Sequence, residues 1–167
     1  MSLHFLDIDS PLGRLRLVAD EQALRGIEFE HPRHPLPRGE DWHARDTGVL
    51  RAARAQLGQY FRGERRRFEL PLAPQGSEFQ RRVWQALLAI EYGRTCSYAD
   101  IARALGDAQA TRAVGAANGR NPIAVIVPCH RVIGADGSLV GFAGGLERKR
   151  YLLDHEAKVA GTWDRLF

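Results

Sequence analysis

The stretch Ile123-Ala-Val-Ile-Val-Pro-Cys-His-Arg131 places a cysteine and a histidine at the end of an apolar run. The run predicts a buried strand, with Cys129 at its edge beside an imidazole and a guanidinium group. A thiol reacts as its thiolate, and neighbouring histidine or cationic groups make the thiolate accessible near neutral pH. Free cysteines are also among the most buried residues in proteins, so a packed core cysteine is the alternative.

The composition indicates a globular chain. With 167 residues, 44% of them apolar, it can form one domain or two small ones. The net charge of +4 permits nucleic-acid binding but does not require it. The two cysteines, Cys96 and Cys129, are too few for a disulfide framework, and no apolar stretch approaches the roughly 20 residues of a membrane span. We expect a cytoplasmic protein without a leader and without membrane contact.

The chain changes character near Ala73-Pro-Gln-Gly76, which predicts a linker between domains at 1–73 and 74–167. Before it, alternating apolar residues predict strands, and apolar residues at helical spacing predict one helix. After it, the pattern is mostly helical, beginning with the capping box Ser77-Glu-Phe-Gln80. The predicted elements are strands over 3–8, 12–18 and 24–29, a loop over 31–40, and helices over 49–61, 78–90, 98–105, 110–118 and 146–155.

The two short helices around Gly106-Asp107 have the proportions of a helix-turn-helix unit, whose second helix enters a DNA groove. The second helix presents small residues, and Arg112 is its one long donor. This pattern favours close approach to a minor groove with one inserted side chain over reading of major-groove base edges. If a base is taken out of the stack, Arg112 could fill its place and Tyr98 could press on the backbone. An ordinary alanine-rich hairpin is the alternative.

From about Gly76 to Glu156 the chain resembles the O6-alkylguanine-DNA alkyltransferase family, the methylated-DNA–protein-cysteine methyltransferases. The matching segments are Phe79-Gln-Arg-Arg-Val-Trp84, Tyr92-Gly93, Ser97-Tyr98, Ile101-Ala102, Ala110-Thr-Arg-Ala-Val-Gly-Ala-Ala-Asn118, Asn121-Pro122, Val127-Pro-Cys-His-Arg-Val-Ile133, Gly144-Gly145 and Leu152-Leu-Asp-His-Glu156. The first half matches more loosely. The resemblance implies an α/β N-terminal domain of ribonuclease-H-like topology. It also implies a mostly α-helical C-terminal domain with a winged-helix-like helix-turn-helix.

The resemblance implies a repair reaction in which Cys129 attacks the alkyl carbon on guanine O6. Glu156 orients His130, which acts on Cys129 through a water molecule, and Asn121 organises the turn that places the cysteine. Tyr98 helps to rotate the nucleotide and donates a hydrogen bond to the purine. An S-alkyl thioether has no acyl carbon for water to attack, so each molecule would react once.

The resemblance also implies the surfaces for DNA and for the lesion. Arg112 takes the place of the flipped base. The other expected DNA contacts are Ala113, Gly115, Ala116 and Asn118, together with Tyr98. The expected pocket residues are Val132 and Cys129 through their carbonyls, Ala143 through its amide, and Phe142 and Trp84 through their side chains.

The expected partner is duplex DNA containing O6-alkylguanine, and whether O4-methylthymine is also a substrate is left open by the sequence. We expect a monomer, with cooperative assembly on DNA as an open alternative. We expect no cofactor. We also expect no metal, because His31, His34 and His43 form a weak ligand set without a nearby cysteine.

Three rival functions use the same features differently. Alkyltransferase-like damage sensors lack the cysteine, so Cys129 argues against a sensor. A helix-turn-helix regulator is disfavoured by the small residues of the second helix. A thiol hydrolase would need an oxyanion hole, for which the sequence gives no signal.

Overall fold

The computed structural model describes residues 2–37 and 42–162 of the chain. The first part contains a four-stranded sheet in the order β3-β2-β1-β4, in which β1, β2 and β3 are antiparallel and β4 runs parallel to β1. The strands are β1 (Leu3–Ile8), β2 (Leu15–Ala19), β3 (Leu24–Phe29) and β4 (Trp42–Ala44). The strand predictions over 3–8 and 24–29 are confirmed. The strand β4 was not predicted, because three residues after a proline-rich loop carry no alternating pattern.

Helix α1 (Gly48–Phe61) packs on this sheet. It begins after Thr47, whose hydroxyl accepts a hydrogen bond from the Leu50 amide, as an N-cap residue does. Its buried residues recur at helical spacing and form one apolar face: Leu50, Ala53, Leu57 and Tyr60. The predicted helix is therefore confirmed. The preceding loop is irregular over 31–37, and the rest of the predicted loop, 38–40, lies outside the described residues.

The second part is mostly helical, as predicted. The predicted capping box is present, with Ser77 paired with Gln80 at the start of α2, and a second capping box pairs Ser97 with Asp100 at the start of α3. The helix predicted over 78–90 ends at Leu87, and Leu88, just beyond its end, is 43% exposed. The elements are α2 (Glu78–Leu87), β5 (Cys96–Ser97), α3 (Tyr98–Ala104), α4 (Thr111–Gly119), β6 (Val132–Ile133) and α5 (Leu146–Ala160).

The apolar run before the cysteine is a set of turns, so the strand predicted there is wrong. Only Ile123 makes a β-bridge, to Ile27, and Val125 has a left-handed φ of 74°. The Asn121 side chain accepts a hydrogen bond from the Ile123 amide and donates one to the Val127 carbonyl. These two bonds close a turn where a strand was predicted. The cysteine then opens one turn of 3₁₀ helix, Cys129–Arg131, in which successive side chains point about 120° apart.

The two parts of the molecule share one continuous apolar core. Backbone hydrogen bonding also crosses between them, because the Ile27 amide donates to the Pro122 carbonyl at 2.9 Å. Arg148 reaches back to the Leu12 carbonyl at 2.9 Å. Within the described ranges, no helix combines the length and the apolar character needed to cross a membrane.

Candidate active site

Cys129 lies in a turn that is held by the side chains of Asn118 and Asn121. Cys129 is only 4% exposed. Asn121 fixes the preceding turn, and Asn118 Nδ2 donates to the Cys129 carbonyl at 3.3 Å. Asn118 is itself buried and holds the cysteine turn, and its expected contact with DNA stays a prediction.

A buried carboxylate beside the cysteine collects four different donors. We call Glu156 and its partners Tyr60, Gly93, His130 and Arg131 the carboxylate cluster. Oε2 of Glu156 lies 2.6 Å from the Tyr60 hydroxyl and 2.7 Å from His130 Nε2. Oε1 accepts from Arg131 Nε at 2.7 Å and from the Gly93 amide at 3.4 Å, and Arg131 Nη2 reaches Oε2 at 3.1 Å. Glu156 is therefore fixed in position, and the positive charge of Arg131 balances its negative charge.

The protonation states in the carboxylate cluster follow from these contacts. Burial alone would raise the pKa of Glu156, but the charges and hydrogen bonds of His130 and Arg131 bring it far below its usual range. Burial lowers the pKa of His130, although Glu156 opposes that shift. A neutral imidazole facing a carboxylate must carry its proton on Nε2, because the carboxylate can only accept. Nδ1 of His130 is then a buried acceptor with no hydrogen-bond partner among the residues described.

The thiol itself is protonated at rest. Burial raises the pKa of Cys129 to about 11, although Asn121 and the charge of Lys149 act in the opposite direction. Lys149 is also buried, and its Nζ donates to the carbonyls of Val132 at 2.6 Å and Val140 at 2.7 Å. Burial lowers the pKa of this lysine to about 8. The cysteine consequently needs a base before it can act as a nucleophile.

A small cavity opens in front of the cysteine and is bounded by both domains. Its volume is about 40 Å³, which holds only a few water molecules and is far smaller than a purine. Phe142 and Ala143 line it from the glycine-rich loop, and Phe29 packs edge-on against Phe142 at 5.9 Å. A base could enter only if the surrounding loops move apart.

Two expected pocket residues do not line this cavity. Trp84 is buried between α2 and α4, where its indole nitrogen donates to the Ala117 carbonyl at 2.8 Å, so its role is packing. Val132 is buried in β6, and its carbonyl already accepts from Lys149.

The helix pair α3 and α4 lies directly beside the site. Arg112, Ala113 and Ala116 are exposed on α4, and Gly115 is partly buried. Tyr98, at the start of α3, donates its hydroxyl to the Val140 carbonyl at 2.8 Å. This exposed surface of α4, which we call the helix face, therefore continues into the loop that borders the cavity.

Three residues of the site were missed by sequence reasoning: Tyr60, Arg131 and Lys149. Arg131 stands beside the cysteine in the sequence, but nothing local indicates that it turns inward to Glu156. Tyr60 and Glu156 are 96 positions apart. Lys149 lies in a helix whose leucines face inward, and this position was the signal that could have indicated a buried lysine.

No group of three or more histidine, cysteine, aspartate or glutamate side chains lies close enough to hold a metal ion in the part of the chain that the structure describes. Cys96 is half-buried, and burial raises its pKa to about 11, which leaves it a packing residue.

The fold and the site define a two-domain protein: a sheet domain joined to a helical domain that holds one buried cysteine beside a histidine and a carboxylate. Two family models match the chain. Residues 4–74 match the ribonuclease-like domain of 6-O-methylguanine DNA methyltransferase, and residues 78–158 match its DNA-binding domain.

Individual relatives agree over almost the whole length. The chain is 45% identical over 154 residues to the methylated-DNA–protein-cysteine methyltransferase of Methanosarcina acetivorans, covering 92% of this chain and 98% of that protein. It is 47% identical to the enzyme of the same name from Mycobacterium bovis, covering 92% of each chain. The crystal structure of Mycobacterium tuberculosis OGT in complex with DNA superposes with a TM-score of 0.87 at 46% identity, covering 98% of this chain and 99% of that one. The chain belongs to the 6-O-methylguanine DNA methyltransferase family.

Proposed function

We propose that this protein repairs DNA by direct reversal, moving the alkyl group of O6-alkylguanine onto its own Cys129. The observation that carries this proposal is the buried cysteine beside the His130–Glu156 pair, in a chain of this family. Direct reversal needs one nucleophile, one base and no cofactor. The site supplies the first two from its own side chains.

The reaction begins with the base. His130 Nδ1 takes the proton of Cys129 Sγ through a water molecule, while Glu156 stabilises the imidazolium that forms. The thiolate attacks the alkyl carbon, the S–C bond forms as the C–O6 bond breaks, and the electron pair stays on the guanine. The Tyr98 hydroxyl is proposed to stabilise the leaving guanine by donating a hydrogen bond to the purine. The guanine anion then takes up a proton from water, while the His130 imidazolium returns its proton to solvent. The S-alkyl cysteine is stable to water, so the protein is consumed in one turnover.

The helix face would bind the DNA. We propose that α3 and α4 act as a helix-turn-helix that approaches the minor groove, with Arg112 inserted into the stack in place of the flipped base. The small exposed residues Ala113 and Ala116 support close backbone approach. Binding would be largely independent of sequence and would weaken with salt, at a slope of roughly 0.9 per phosphate neutralised. The winged detail and the domain division at 73/74 stay predictions.

Reaction as a thiol requires a reducing setting, which supports a cytoplasmic location for the protein. We propose a monomer as the acting unit, with cooperative assembly on DNA and repair of O4-methylthymine as further predictions.

Intact-mass measurement tests the proposed function. Incubation with a duplex containing O6-methylguanine should add one methyl group to the protein, and Cys129→Ala should add none. A duplex with unmodified guanine is the control. Tight binding to the lesion without any mass gain would support a damage sensor instead and overturn the repair proposal.

A further inference from the structure

We infer that Tyr60, in the sheet domain, is a positioning residue for the transfer: its hydroxyl holds the Glu156 carboxylate and, through it, the His130 imidazole. This inference rests on the function proposed above. It gives the N-terminal domain a part in the chemistry of a cysteine that lies in the other domain.

The contact is short and completely enclosed. Tyr60 has no exposed surface and Glu156 is 1% exposed. The phenol oxygen lies 2.6 Å from Glu156 Oε2, the same oxygen that His130 Nε2 approaches at 2.7 Å. The tyrosine and the catalytic histidine therefore share one acceptor atom. Loss of the phenol hydrogen bond therefore changes the charge on the oxygen that the imidazole contacts.

The tyrosine is held firmly enough to act as an anchor. Four aromatic rings surround it with centroids between 5.2 and 6.1 Å away, namely those of Phe61, Phe68, Tyr92 and His155. His155 Nε2 also donates to the Tyr60 carbonyl at 2.8 Å, which ties the end of α1 to the helix that carries Glu156. The hydroxyl cannot swing away without disturbing this packing.

The direction of the hydrogen bond follows from the two ionisable groups. Burial, followed by the charge of Glu156, raises the pKa of Tyr60 well above its usual value, so the phenol keeps its proton. Glu156 stays ionised because its partners hold its pKa low. The tyrosine therefore donates and takes up part of the negative charge on Oε2.

Removal of the donor should make the imidazole more basic. Without the phenol, more of the charge on Oε2 faces His130, which favours the imidazolium form and raises the pKa of His130. A base that is already protonated cannot take the thiol proton. The loss of rate should therefore be larger at low pH than at high pH, whereas a purely structural role would slow the reaction equally at all pH values.

The decisive comparison is between Tyr60→Phe and Tyr92→Phe. Tyr92 contacts the Tyr60 ring, and its buried hydroxyl neither donates a hydrogen bond to, nor accepts one from, any residue that the structure describes. Removal of the Tyr92 hydroxyl is therefore a matched control. With saturating O6-methylguanine duplex, Tyr60→Phe should slow the single-turnover rate by a factor that approaches tenfold as the pH falls below the pKa of His130, because a rise of about one pKa unit leaves about one tenth as much neutral imidazole. The loss should shrink above pH 8, and DNA affinity should not change. An equal loss across the pH range, or an equal loss in Tyr92→Phe, would overturn the inference.

A titration of His130 by nitrogen NMR in the DNA-free protein gives an independent test. The pKa of His130 should rise by roughly one unit in Tyr60→Phe and stay unchanged in Tyr92→Phe. The same pKa in all three proteins would overturn the inference. This measurement needs no lesion, so it judges Tyr60 separately from the proposed function, which fails if the unmodified protein transfers no methyl group.

Discussion

The carboxylate cluster and the helix face border the same cysteine but are built in opposite ways. In the cluster, Glu156 and His130 are almost completely buried, and each oxygen of the carboxylate has at least two donors. On the helix face, Arg112 and its small neighbours are exposed. The carboxylate cluster is thus hydrogen-bonded within the protein itself, whereas the helix face, which is the proposed DNA surface, consists of exposed side chains.

The largest expected effect comes from breaking the cluster at its centre. Glu156→Gln keeps the shape but removes the charge, which leaves the Arg131 guanidinium buried without its counter-ion. Loss of one partner of a buried ion pair costs about 3–5 kcal/mol, and loss of an oriented base slows a reaction by about 100-fold. Urea unfolding and single-turnover kinetics measure the two effects. Glu147→Gln, exposed on the same helix, should change neither.

Glu156→Gln also tests how the free energy of unfolding depends on pH. The pKa of Glu156 is lowered by folding, so its contribution is fully present above the usual carboxyl pKa and is lost as the pH falls toward the much lower value in the folded protein. The stability difference between the unmodified protein and Glu156→Gln should therefore be constant from pH 5 to 7 and shrink below about pH 4.5. A difference that grew on acidification would contradict this assignment.

The helix face should show a smaller effect that depends on the substrate. Arg112→Ala should slow repair in duplex DNA by at least about tenfold, because the flipped base is no longer replaced in the stack. Reaction with free O6-alkylated guanine should be unchanged. Arg54→Ala, an exposed arginine on α1, controls for the loss of charge. Equal losses on duplex and free base would remove the flipping role.

The last expected effect concerns the resting thiol and needs no DNA. Because the pKa of Cys129 is raised to about 11, iodoacetamide should label it slowly at pH 7.5, and the rate should rise up to tenfold per pH unit toward pH 11. The measurement should be made in a Cys96→Ala background, since the pKa of Cys96 is also about 11. Fast labelling that is already at its plateau near neutral pH would show that the cluster activates the thiol without DNA.

The sequence predicted the features that local residues encode. The capping box at Ser77 lies within four residues and was recognised, whereas the one at Ser97 was found only in the structure. The run Ile123–Val127 was misassigned because short apolar runs fit strands and buried turns equally well, and the Asn121 side chain decides between them. The burial of Asn118 likewise depends on how α4 packs, which its own residues do not specify.

The residues that join the two domains could not be predicted. Tyr60 meets Glu156 only after the sheet domain docks on the helical domain, and no local pattern distinguishes it from an ordinary core tyrosine. Lys149 is similar, because a buried lysine is recognised only when the carbonyls of Val132 and Val140 come within reach. Such long-range contacts carry much of the electrostatics of the site.

The most direct test of the central claim is the stoichiometry of transfer to the cysteine. The protein should be incubated with a large excess of O6-methylguanine duplex, and its peptides should be mapped by tandem mass spectrometry over time. The account predicts that methylation stops at one group per chain, located on Cys129, with Cys96 unmodified. Methyl groups released beyond one per chain, or a methyl group found on any other residue, would contradict it.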